Sequence, residues 1–143
     1  MNILVINGPN MNLLGSREKE IYGSETLESL INWLENSSLG SKQQFKFFQS
    51  NHEGEIIDIL HDERDWARGI IINPAAFTHY SYAIRDAISS INIPTVEVHL
   101  SDISNREDFR KVSVIAPVCV KQISGLGKNS YLEGLKLLLK IFK

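Results

Sequence analysis

Glu97 and His99 stand two residues apart in the run Val96-Glu97-Val98-His99-Leu100, and that spacing is where acid–base chemistry first becomes available to this chain. In an extended strand side chains alternate, so the two polar groups share one face while Val96, Val98 and Leu100 take the other. A carboxylate so placed accepts one imidazole N–H, fixes the tautomer and favours the imidazolium, the form a general acid needs. The competing reading is a solvated strand face or a satisfied core histidine. A second set of groups lies in the segment from Gly8 to Gly23, which carries Asn10, Arg17 and Tyr22 and is long for a strand-to-helix connection. A tyrosine, with a reference pKa of about 10, acts as a base near neutrality only where a cation stabilises its phenolate, and Arg17 is placed to supply one. Considered as a loop alone, the same pair reads first as a solvated arginine and a tyrosine packed at the root of a helix.

Other chemistries fit less well. His52, His61, His79 and His99 show no tight ligand spacing, so no metal site is expected. The single cysteine, Cys119, cannot form an internal disulfide and reads as a small buried hydrophobe within an apolar strand. Gly125-Leu126-Gly127-Lys128 is only superficially a phosphate loop, because Gln122 stands where the motif needs glycine and Asn129 where it needs Ser or Thr. Ser81 and Ser101 lack the G-x-S-x-G elbow of a serine hydrolase.

The elements that must position these groups follow from periodicity. Short apolar runs alternate with amphipathic stretches of helix length: a strand at Ile3–Ile6, then Leu27, Leu30, Ile31 and Leu34 on one helical stripe, then a strand at Phe45–Phe48. Ser50-x-x-Glu53 has the form of a capping box before a second helix with Ile56, Ile57, Ile59 and Leu60. Gly69–Asn73 is a continuous apolar strand, Ala83 to Ile91 a helix and Thr95–Leu100 the fourth strand. After a short element at Asn105–Arg110, a fifth strand is expected within Val112–Val120 and a terminal helix from Tyr131 to Phe142. Five such units predict a single α/β domain over residues 1–143, a flavodoxin-like three-layer α/β/α sandwich with a five-stranded parallel sheet of order 2-1-3-4-5. In that order strands 1, 3 and 4 are neighbours. Their carboxyl ends bring Asn7 to Asn10, Asn73 with Thr78 and His79, and His99 to Ser101 onto one rim, where ligands of such sheets bind.

The 143 residues suit one domain, and 15 Lys+Arg against 17 Asp+Glu give a net charge of −2, which disfavours nucleic acid and anionic membranes as partners. With no basic, apolar leader and no long apolar run, a cytoplasmic protein is expected.

Read together, Asn7-Gly8-Pro9-Asn10-Met11-Asn12-Leu13-Leu14-Gly15, Arg17-Glu18, Tyr22-Gly23, Gln49-Ser50-Asn51-His52-Glu53-Gly54, Ile72-Asn73-Pro74, Thr78-His79 and Val96 to Ser101 resemble the type II 3-dehydroquinate dehydratases over essentially the whole chain. The resemblance implies anti elimination of water from 3-dehydroquinate through an enolate, the third step of the shikimate pathway, without metal or organic cofactor. It implies Tyr22 as base with Arg17 beside it, Asn10 holding a water at the enolate oxygen, and His99, oriented by Glu97, as the acid at the departing hydroxyl. By the same resemblance the substrate carboxylate meets the Leu100 and Ser101 N–H groups and the Asn73 side chain. His79 and Arg110 hold ring hydroxyls, and Asp86 reaches into a neighbouring subunit of a trimer that assembles further into a dodecamer. The chain departs from the family pattern at Ala75, where glycine is usual, at Tyr80, where threonine is common, and at Lys121, another usual glycine. The alternative is a non-catalytic module binding a small anion or mononucleotide in the same crevice.

Overall fold

A computed structural model describes residues 1–16, 18–22 and 24–143, the side chain of Tyr22 excepted. The expectations placed on Arg17 and on the Tyr22 side chain therefore lie outside the described residues. Strands β1 (Asn2–Asn7), β2 (Gln44–Gln49), β3 (Gly69–Asn73), β4 (Thr95–Val98) and β5 (Lys121–Ile123) form one parallel sheet in the order β2-β1-β3-β4-β5. The helices are α1 (Lys19–Tyr22), α2 (Leu27–Glu35), α3 (Glu53–Asp62), α4 (Tyr82–Ile91) and α5 (Asn129–Ile141).

Strand alternation divides the core in two. Ile3, Val5, Ile71, Val96 and Val98 meet Leu30 and Leu34 of α2 and Tyr131, Leu135 and Leu138 of α5. Leu4, Ile6, Ile70 and Ile72 meet Ile56 and Leu60 of α3 and Ile84, Ala87 and Ile88 of α4. These are the two helical layers of the expected sandwich, and fully buried strands such as Gly69–Asn73 are what coverage on both faces requires. Among the described residues no helix is long and apolar enough to cross a membrane.

Two local expectations are corrected. The fifth strand is Lys121–Ile123, not a segment within Val112–Val120; Cys119 therefore precedes the strand instead of lying in it. Val114 and Ile115 are apolar because they join the α3/α4 core from a loop, and Pro117 sits in a 3₁₀ turn at Ala116–Val118, where a missing N–H is tolerated. The true strand is an edge strand, which explains its polar Lys and Gln. Nor does Ser50-x-x-Glu53 make a capping box: His52 is the N-cap of α3, Ser50 Oγ accepts the His52 N–H at 3.0 Å, and Glu53 instead accepts a hydrogen bond of 2.6 Å from Ser81 Oγ. The fourth strand ends at Val98, and the short element before Arg110 is two 3₁₀ turns, Ile103–Asn105 and Asp108–Arg110.

The ends of β1 and β3 are knitted where the site lies. Gly8 N–H donates to Asn73 O at 2.8 Å, and a Cβ at Gly8 would fall 2.5 Å from Pro74 O, so only glycine fits this approach. Ala75, in the turn after Asn73, takes φ +52°, the left-handed region that disfavours a Cβ. Replacing Ala75 with glycine should therefore stabilise the fold by about 0.5–1 kcal/mol, less what the freer unfolded chain removes, read as a rise in the urea midpoint.

Candidate active site

Beyond the carboxyl ends of β1, β3 and β4 lies a cavity of about 120 Å³ whose walls include Asn10, Asn73, His79, His99, Ser101 and Arg110. The polar groups expected on the rim are thus brought together around one space. Asp86 is not among them: it lies exposed on α4, beside a separate surface depression with Tyr82 and Arg85.

Glu97 is fully buried and His99 only 5% exposed, with His99 Nε2 donating to Glu97 Oε2 at 2.5 Å. β4 is an inner strand, so the pair is not on a solvated face. Nδ1 of His99 makes no hydrogen bond among the described residues, and the ring borders the cavity. Burial works to raise the Glu97 carboxyl, but the hydrogen bond and charge of His99, with donors from Thr78 and Gln122, outweigh it and hold the group below its ordinary value. Glu97 thus stays a carboxylate in the interior.

His79 lies at the end of the 3₁₀ turn Ala75–His79, its Nδ1–H donating to the Val112 carbonyl at 2.7 Å and its ring edge-on to Phe109. Desolvation lowers its pKa, opposed by the Val112 hydrogen bond and reinforced by the charge of His99 and Arg110, so Nε2 is an acceptor near neutrality. Arg110 Nε is 2.7 Å from Glu107 Oε2 but off its N–H direction, and the guanidinium covers the Phe109 ring. Asn73 is 3% exposed: its Oδ1 accepts the Ala75 N–H, and Nδ2 donates to Tyr131 Oη at 3.0 Å and reaches Met11 Sδ at 3.7 Å. A ligand that binds this side chain takes over the weak contact to sulfur. The Leu100 and Ser101 N–H groups donate to nothing among the described residues, although both carbonyls are used, by Gly127 and Gly125.

Asn10 borders the cavity with a left-handed backbone, φ +68°, and its N–H donates to Asn51 Oδ1. Gln49 Nε2 braces the same loop through Gly8 O and Asn51 Oδ1, giving Gln49 and Asn51 a role at its base that sequence spacing did not assign. Two further wall residues, Ile103 and Arg106, were also missed; Arg106 lies four positions before Arg110 within the short element already marked, which is the signal that could have found it. Cys119 is a thiol pushed up to about 12 by burial and by the Glu97 charge, and Lys128 pairs with Glu25 over the Trp33 ring. Neither is reactive machinery. Among the described residues no group of His, Cys, Asp and Glu side chains is arranged to hold a metal ion.

A doubly wound sheet with a buried Glu–His pair and uncommitted N–H donors at its switch point defines an α/β enzyme working by acid–base chemistry on a small anionic ligand. Residues 1–139 match the model of the family described as dehydroquinase class II, and the chain belongs to that family. It is 59% identical over 140 residues to the 3-dehydroquinate dehydratase of Caldicellulosiruptor saccharolyticus, covering 97% of each chain. The solved type II dehydroquinase of Butyrivibrio crossotus superposes with a TM-score of 0.94 at 48% identity, covering 97% of both chains. That of Propionibacterium acnes gives 0.90 at 38% identity, covering 97% of this chain and 96% of its own.

Proposed function

We propose that this chain dehydrates 3-dehydroquinate to 3-dehydroshikimate, the dehydration step of the shikimate pathway, by anti elimination through an enolate. The observation that carries the reading is the buried Glu97, its carboxyl held below its ordinary value, binding His99 at the wall of a cavity edged by the Leu100 and Ser101 N–H groups, which donate to nothing among the described residues. The hydrogen removed is alpha to a ketone, so a phenolate at Tyr22, made accessible by the Arg17 cation, is a matched base. Asn10 holds a water toward the developing enolate oxygen, a preorganised dipole of the kind worth about 3 kcal/mol. His99 then protonates the departing hydroxyl, which leaves as water, and Glu97 stabilises the ring in the orientation that delivers the proton.

The Leu100 and Ser101 N–H groups, with Asn73 through the hydrogen now on Met11 sulfur, take the substrate carboxylate. His79 Nε2 accepts from a ring hydroxyl, and Arg110 donates to another. Asp86, exposed on α4 and not lining its own chain's cavity, fits a role in a neighbouring subunit's site, as a trimer built further into a dodecamer would require. Arg110→Ala should raise KM about tenfold or more with a smaller change in kcat, because the guanidinium binds ground and transition state alike; steady-state kinetics measures the split.

Incubation with 3-dehydroquinate tests the reading through the rising ultraviolet absorbance of the conjugated product; no rise would remove it. Among the described residues no lysine borders the cavity, so borohydride added with substrate should leave activity intact, whereas inactivation would mean an imine mechanism. The rival small-anion or mononucleotide module finds no support in Gly125–Lys128, where Gln122 and Asn129 break the phosphate-loop pattern and Lys128 is paired with Glu25.

A further inference from the structure

Every group that hydrogen-bonds to the Glu97 carboxylate is a donor. Oε2 receives His99 Nε2–H at 2.5 Å, Thr78 Oγ1–H at 2.6 Å and Gln122 Nε2–H at 2.8 Å; Oε1 receives Ser113 Oγ–H at 2.8 Å. The direction of the serine bond is forced, because Ser113 Oγ already accepts the N–H groups of Ile115 at 3.2 Å and Ala116 at 2.9 Å and has only its proton left to give. The glutamine bond is forced too, since its amide oxygen turned toward a carboxylate would be repelled. Apart from the His99 ring nitrogen, which can take either role, a protonated Glu97 would find no acceptor in this shell without breaking one of those bonds.

Sheet register puts Gln122 there. Glu97 pairs with Gln122 across the parallel β4–β5 ladder, which sets the two side chains next to each other on the same face.

We propose that Gln122 is a positioning residue for the acid–base pair, closing with Thr78 and Ser113 a donor-only shell that keeps Glu97 charged and its carboxylate turned toward His99. The proposal rests on the dehydratase reading for its activity readout only.

Two substitutions separate this role from a merely structural one. Gln122→Met removes the donor at similar size, and should lower kcat about tenfold with KM changed by less than about twofold and with the same loss at every pH. Gln122→Glu keeps the shape but donates only when protonated, and two carboxyls in contact share a proton whose loss is shifted to higher pH. The ratio of its kcat to that of the wild type should be near one at about pH 6 and fall at least about tenfold by about pH 9. The other titratable groups facing Glu97 are His79 from the turn before α4, held low by burial, and Cys119 from the loop before β5, pushed up to about 12, with the Arg110 guanidinium next to His79. None of them produces that ratio.

In ligand-free protein the His99 imidazole signals of Gln122→Glu should show a second inflection from the shared carboxyl proton, absent from wild type and Gln122→Met. That readout survives even if the wild type fails to dehydrate 3-dehydroquinate, a result that would instead overturn the dehydratase reading. Thermal melts establish that both variants fold; should Gln122→Met fail to, the Gln122→Glu ratio and titration still decide. A flat ratio for Gln122→Glu, a single inflection, or a Gln122→Met variant with wild-type kcat would each overturn the proposal.

Discussion

Replacing His99 with alanine should lower kcat by about 10²- to 10⁴-fold while KM changes by no more than a few-fold, the range expected when a positioned general acid is removed. The expectation follows from what His99 touches: one ring nitrogen is committed to Glu97, the other makes no hydrogen bond among the described residues, and the ring borders the cavity. Binding is distributed over backbone N–H groups, His79 and Arg110, so losing the ring removes an interaction made mainly in the transition state. The fold should tolerate the change less well than a surface substitution, because Glu97 is left buried with one fewer donor. Steady-state kinetics with a thermal melt on the same sample separates the two effects, and a kcat within threefold of wild type, about 0.6 kcal/mol, would take His99 out of the mechanism.

The second large effect is expected at Tyr22. Tyr22→Phe deletes one oxygen and should cost at least about 10² in kcat, with KM nearly unchanged, since the phenolate acts on carbon only as the C–H bond breaks. With substrate deuterated at the carbon alpha to the ketone, proton abstraction should become more rate-limiting in the variant, so its isotope effect on kcat should exceed that of wild type. Turnover at the wild-type rate would place the base elsewhere.

The geometry behind the first prediction was legible in the sequence because it depends on the strand period alone: Glu97 and His99 share a face wherever Val96 and Val98 are buried on the other, and both valines lie in the α2/α5 core. The doubly covered parallel sheet was legible for a similar reason, since apolar runs such as Gly69–Asn73 announce coverage on both sides, and the order 2-1-3-4-5 came with the flavodoxin-like fold those alternating units fit. What stayed hidden was set by tertiary contact. The apolar run Val112–Val120 looked like a strand because burial against α4 and burial in a sheet leave the same composition, while the true edge strand carries Lys121 and Gln122, which pattern alone reads as loop. The donors on Glu97 come from positions 78, 113 and 122, separated from it by chain lengths over which no local rule operates. Ser50 and Glu53 failed as a capping box because α3 starts at Glu53 with His52 as its N-cap, which leaves the glutamate at the first helical position, where it accepts the Ser81 hydroxyl instead.

The stereochemistry of the elimination tests the two-sided arrangement of acid and base most directly. With 3-dehydroquinate carrying deuterium in place of only one of the two hydrogens on the methylene between the ketone and the carbon bearing the departing hydroxyl, mass spectrometry of the product reports which hydrogen is lost. Loss of the hydrogen anti to the departing hydroxyl is the outcome that a phenolate on one face and an imidazolium on the other require. Loss of the syn hydrogen, or scrambling of the label, would contradict that arrangement.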